Sequence, residues 1–90
     1  MRVTENGSPF DFPCDIPVKV FGRNEAEFRT AVLAIVRGRF PDFHESAMTE
    51  RASRENRFLS ITVTVWVESR AQIDALYTEL TGHDAVLMVL

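Results

Sequence analysis

One cysteine, Cys14, two histidines, His44 and His83, and four glycines are all this 90-residue chain has of the residues most often used in sites. A lone cysteine excludes an intrachain disulfide and a cysteine-rich metal site, and it suits a reducing cytoplasm. Cys14, His44 and His83 sit on three separate segments, with no i, i+4 histidine pair and no CxxC, so neither a metal nor another cofactor is expected. The glycines form no GxGxxG, no P-loop and no GxSxG. Uncharged apolar runs fall far short of the roughly 20 residues that span a bilayer. The opening "MRVTENGSPFDFPCD" lacks the apolar core of a signal peptide, so no membrane association is expected. Basic charge is also short: ten Lys+Arg against thirteen Asp+Glu leave a net −3, which argues against a dedicated nucleic-acid binder.

What is present reads as one small globular domain. Residues 1–9 are polar, with "NGSP" as a turn, and are expected to form a flexible tail before a domain over 10–90. Pro13 and Pro17 cannot donate to a ladder, which predicts a first strand from Pro17 or Val18 to Phe21. Asn24 with Glu27 has capping-box spacing. Phe28, Val32, Ile35 and Val36, with Leu33 alongside, form the apolar stripe of a first helix that Pro41 ends. A weak strand is expected over Phe43–Glu50, and "TERASRENR" reads as a solvated loop. In "FLSITVTVWV" Leu59, Ile61, Val63, Val65 and Val67 alternate with polar residues and Trp66, the period of a strand with one buried face. Ser69 with Gln72 is a second capping box; Ile73, Leu76, Tyr77 and Leu80 form a stripe, and Gly82 suits the C′ position. The closing "AVLMVL" is a strand that is apolar on both sides.

The order β-α-β-β-α-β, with two striped helices to bury, leaves few topologies under right-handed crossovers. The expected class is α+β: a ferredoxin-like βαββαβ sandwich, with a four-stranded antiparallel sheet in the order 4-1-3-2 and both helices on one face. The other face is then open.

Three stretches carry a family resemblance: "FPCDIPVKVFG", "SITVTVWVESRAQIDALYTEL" and "DAVLMVL". Together they resemble the YbeD-like family of small bacterial proteins of unknown function, over roughly Phe12 to Leu90. The resemblance implies a ferredoxin-like domain similar to ACT regulatory domains and supplies no activity. Where family members tend to have a glycine-containing turn before the third strand, this chain has "SRENRFLS", with Asn56 at the glycine position; Asn tolerates the left-handed conformation better than most residues.

Four functional readings follow. The first is a non-enzymatic regulatory or interaction module, dimeric or bound to another protein through the sheet edge or open face. Its interface candidates are Phe21, Phe58, Thr62, Trp66, Leu87 and Val89. The second is a small-molecule sensor. ACT domains hold effectors near the first strand–helix junction, which implies an amino-acid-like metabolite at Gly22, Arg23 and Asn24; the bland alternative is a helix cap and a solvated arginine. RNA binding would stack bases on Phe21 and Phe58, but "NRFLSITV" lacks the basic, glycine-containing RNP1 pattern. An enzyme is least supported. A nucleophile pair of Cys14 and His83 is conceivable because strands one and four are neighbours in the expected sheet, but nothing in the sequence near Cys14 would activate a thiol. No catalytic residue is assigned.

Overall fold

The computed structural model describes residues 11–90, and the expected tail over 1–9 lies outside the described residues. The alternating run becomes strand β3, Phe58–Val67, whose odd-numbered side chains from Leu59 to Val67 are all buried. Beside it lies β1, Cys14–Arg23, in antiparallel register from Cys14 opposite Val67 to Arg23 opposite Phe58. Short outer strands β2, Met48–Ala52, and β4, Val86–Val89, complete a sheet in the order β2-β3-β1-β4, the expected order read from the other edge. Helices α1, Ala26–Arg39, and α2, Arg70–Thr81, cover one face. Their stripes (Phe28, Val32, Ile35 and Val36; Ile73, Leu76 and Leu80) join Ile16, Val18, Val20 and the β3 residues in one core. This is the ferredoxin-like α+β sandwich.

Three boundaries differ from the sequence-based expectation, each for a physical reason. Strand β1 starts at Cys14 and runs through Pro17. The last β1–β4 pair is Lys19 with Leu90, closed by reciprocal backbone hydrogen bonds of 3.1 and 2.8 Å. Pro17, two residues on, faces the same side past that pair, so its missing N–H breaks no ladder bond. Strand β2 begins later than expected, after a 3-10 turn over Glu45–Ala47, and takes in the first residues of the supposed loop. Its Glu50 lies opposite buried Ile61, on the helix side, where the Arg29 guanidinium of α1 grips the carboxylate with two nitrogens. An ion pair thus stands where an apolar residue would have marked the strand. Finally, Glu25 rather than Asn24 is the N-cap of α1, with no side-chain cap bond.

The second helix follows its sequence signal more closely. Ser69 Oγ accepts from the Gln72 N–H, while Gln72 Oε1 accepts from the N–H of Glu68, one residue earlier than in the usual box. Gly82 closes the helix as C-cap at φ −83°, in the right-handed region rather than the left-handed one usual at C′.

The β2–β3 hairpin closes over residues 53–57, with Ser53 Oγ accepting from the N–H groups of Arg57 and Phe58. Asn56 holds φ 59°, the left-handed conformation anticipated for it. Replacing it with valine should cost about 1–2 kcal/mol in chemical denaturation, the penalty of that conformation for a side chain with a branched Cβ. Asn56→Gly should be tolerated.

Tyr77 of α2 donates its hydroxyl to the Leu90 carbonyl at 3.1 Å, tying β4 to the helix layer. Burial pushes its pKa above the ordinary tyrosine value. The folded state therefore holds this proton more tightly than the unfolded chain does. The corresponding stability is intact below about pH 10 and lost as pH rises through the raised folded value. Melting temperature should fall above about pH 10, and Tyr77→Phe should flatten that fall. Tyr77 is the only tyrosine, so ultraviolet absorbance reports its ionisation directly.

Candidate protein interface on the open sheet face

The side chains that alternate with the core project from the uncovered face in crosswise rows. Asp15 lies opposite Trp66, Pro17 opposite Thr64, Lys19 opposite Thr62, Phe21 opposite Ser60 and Arg23 opposite Phe58. Thr49 and Arg51 extend two of these rows on β2, and Leu90 and Met88 extend the same two on β4.

Strand β4 settles a question its all-apolar sequence leaves open. Val20 pairs with Val89 and Phe21 with Met88, but Gly22 pairs with Val86, so Leu87 is the extra residue of a bulge. The bulge resets the alternation. Val86 and Val89 pack against the core, while Met88 and Leu90 share the open face with Phe21. Val89, a candidate interface residue in the sequence, thus sits on the helix side, half-buried. Leu87 projects from the edge, and the bulge blunts that edge as a template for another strand.

The exposed large apolar residues of the described chain are Phe58 at 42%, Trp66 at 54%, Leu87 at 56%, Met88 at 48% and Leu90 at 61%. All but Leu87 stand on the open face, with Phe21 half-buried among them. Lys19 lies with its Nζ 6.0 Å from the Phe21 ring centroid, at the outer limit of a cation–π contact. Thr62 is half-buried in the middle row.

Charge is divided between the two ends of this face. Asp15 and Glu68 mark one end, where Asp42 joins them around a cavity of about 380 Å³ walled by Trp66 and Phe43, with Arg39, itself paired to Glu79, also on its lining. That cavity exists because β2 pairs only as far as Val63, and the segment after α1 wraps the edge of β3 beyond it. Nothing in the sequence pattern signalled it. The other end carries Arg23, Arg51, Arg54 and Arg57, with Glu55 3.7 Å from Arg57. Among the described residues, Asp15, Glu68, Asp42, Arg23, Arg51 and Arg54 make no ion pair.

The strand–helix junction is built differently from a ligand cradle. Gly22 is buried under Phe28, whose ring carbons would lie 2.4–2.7 Å from a Cβ placed there. Asn24 donates from Nδ2 to the Asn56 carbonyl at 3.2 Å, and its N–H donates to the Arg57 carbonyl at 2.9 Å, so it staples β1 to the hairpin. A neighbouring recess is lined by Arg23 together with Glu25, Glu27 and Asp84. Three carboxylates to one guanidinium oppose an anionic ligand.

Cys14 and His83 fall at opposite ends of the sheet. Cys14 pairs with Val67, whereas His83 precedes the β4 residue that pairs with Gly22, roughly 25 Å along β1 at 3.3 Å per residue. His83 Nδ1 accepts from the Ala85 N–H, and His44 Nδ1 accepts from the Ser46 N–H, so both rings help close turns. Among the described residues no three His, Cys, Asp or Glu side chains gather as metal ligands, and no helix is long and apolar enough to cross a membrane.

Residues 8–90 match the profile of a family described as "Protein of unknown function (DUF493)". A UPF0250 protein of Chromobacterium violaceum is 44% identical over 81 residues, spanning 90% of this chain and 91% of its own length. The UPF0250 protein NE1487 of Nitrosomonas europaea is 40% identical over 83 residues, spanning 92% and 95%. Among solved structures, the solution structure of protein HP0495 from H. pylori aligns with a TM-score of 0.72 at 13% identity, covering all of this chain and 94% of that one. Uncharacterized protein TM1266 from Thermotoga maritima aligns at 0.64, also 13% identical, covering 84% and 92%. At such identity the two structures speak for the fold alone.

Proposed function

This chain belongs to the DUF493 (UPF0250) family of small bacterial proteins of unknown function, and we propose that it works as a non-catalytic regulatory module that docks a protein partner on its open sheet face. One observation carries the reading: among the described residues, four of the five exposed large apolar side chains share the uncovered face, while the fifth, Leu87, is the bulged residue at the β4 edge. A scatter of single apolar residues is normal on any surface, whereas their collection on one face marks an interaction site. The serine and threonine rows between them keep the face soluble when it is empty. The bulge at Leu87 favours the face over the β4 edge as the place of contact.

The expected test is a photo-crosslinking amino acid placed at Thr64 in living cells, with Thr30 on the outer side of α1 as control. Crosslinks to protein from position 64 and none from position 30 are expected. No crosslink from position 64 would overturn the reading.

A metabolite at Gly22, Arg23 and Asn24 has less support, because Asn24 is engaged and three carboxylates border the recess. If that reading held, a thermal-shift screen of amino acids would show stabilisation of roughly 2.7 kcal/mol at a hundredfold excess over Kd. We expect none.

A further inference from the structure

The open face is complementary to itself, and we infer that its partner is a second copy of this chain, packed face to face with the strands running in opposite directions. This inference rests on the docking role proposed above and adds the occupant and the orientation. Asp15 ends the face on β1 at one end and Arg23 at the other; Trp66 and Phe58 occupy the matching ends of β3. A two-fold axis lying between the sheets and across the strands places β1 over β1 and β3 over β3 with ends exchanged. Asp15 of each copy then meets Arg23 of the other, Trp66 meets Phe58, and Phe21 meets Pro17. Leu90 meets its own counterpart near the axis.

The alternative axis, parallel to the strands, would lay β1 over β3 and set Asp15 against Trp66 and Arg23 against Phe58, bringing like-charged ends together and leaving neither residue an opposite charge across the interface. Size fits as well. Two long strands and two short ones, about 4.8 Å apart and rising about 3.3 Å per residue, give a face near 500 Å². Two such faces bury roughly 1,000 Å², the threshold of a specific interface, so a reversible micromolar dimer is expected rather than an obligate one. One residue opposes the arrangement. Lys19 lies in the middle row, so the two ammonium groups approach each other near the axis. Lys19→Met should therefore tighten association; a weaker dimer in that variant would count against the proposed register.

The decisive experiment uses Asp15→Arg and Arg23→Asp, both at exposed positions whose exchange leaves the core untouched. Sedimentation of each variant alone should show self-association at least about tenfold weaker than wild type. Mixing the two in equal amounts should restore it, because every contact in the heterodimer then pairs an arginine with an aspartate. Circular dichroism confirms that each variant is folded. Variants that associate like wild type, or a mixture that stays monomeric, would overturn the inference. So would a wild-type protein that remains monomeric at millimolar concentration. In that last case, crosslinks from position 64 to a different protein would leave the docking role standing and remove only the second copy as its occupant.

Discussion

Lysine in place of Trp66 is expected to weaken self-association at least about a hundredfold while leaving the monomer folded. Trp66 is 54% exposed in the single chain and ends the open face beside Asp15. Tryptophans that become buried between partners are typical hot spots, and losing one costs about 2–4 kcal/mol, with each 1.4 kcal/mol worth a factor of ten. In a symmetric dimer the contact with Phe58 occurs twice, so one substitution removes both. The monomer has little to lose, since exposed substitutions away from packed or bonded features usually change stability by no more than about 0.5 kcal/mol. Sedimentation equilibrium and thermal melting together separate the two effects. A loss of association accompanied by a large fall in melting temperature would mean that Trp66 supports the fold instead.

The largest effect on stability is expected at the contact between Phe28 and Gly22. Phe28 is 1% exposed, and its ring lies directly over the Gly22 backbone. Phe28→Ala should cost about 3–5 kcal/mol, from lost burial plus the cavity left behind. Gly22→Ala should cost about 1–3 kcal/mol from the opposite cause, because the new Cβ would fall 2.4 Å from a ring carbon that the packed core does not let move aside. The two changes share one space. Denaturant titrations of the double variant should therefore show a cost well below the sum, since alanine at 22 then meets a void. Additive costs would mean that the glycine is required for some reason other than the ring.

The close approach at Gly22 was not readable in the sequence, and the reason is general to the parts that were missed. Periodicity identifies an element whose neighbours it shares with the core: Leu59 to Val67 in β3, the Phe28 to Val36 stripe in α1 and the Ser69 cap of α2 all kept their places. It fails where a side chain is matched by something distant. Glu50 faces the helices because Arg29, 21 residues away, receives it, so β2 lacked the expected alternation. Asn24 looked like a helix cap because local spacing allowed it, yet its amide reaches the hairpin turn at Asn56. Pro17 looked like a strand start because sequence does not reveal that β4 stops pairing two residues short of it.

The candidate interface was partly legible. Phe21, Phe58, Thr62 and Trp66 follow from the phase of β1 and β3, which the buried residues fix. On β4 an unbroken apolar run has no phase to read. Only the bulge at Leu87 assigns Met88 and Leu90 to the open face and turns Val89 toward the helices. The division of charge between Asp15 and Arg23 is likewise invisible until β1 is seen to span the whole sheet.

Concentration-dependent NMR shifts test most directly whether the open face is the contact surface. Amide spectra should be recorded from micromolar to millimolar protein, with the Trp66 indole N–H as a side-chain reporter. Shifts confined to the open face, at Asp15, Lys19, Phe21, Arg23, Phe58, Ser60, Thr62, Thr64, Trp66, Met88 and Leu90, are the expected result, with the outer surfaces of α1 and α2 unmoved. Shifts centred on Leu87 and Val89, or on the helices, would contradict it.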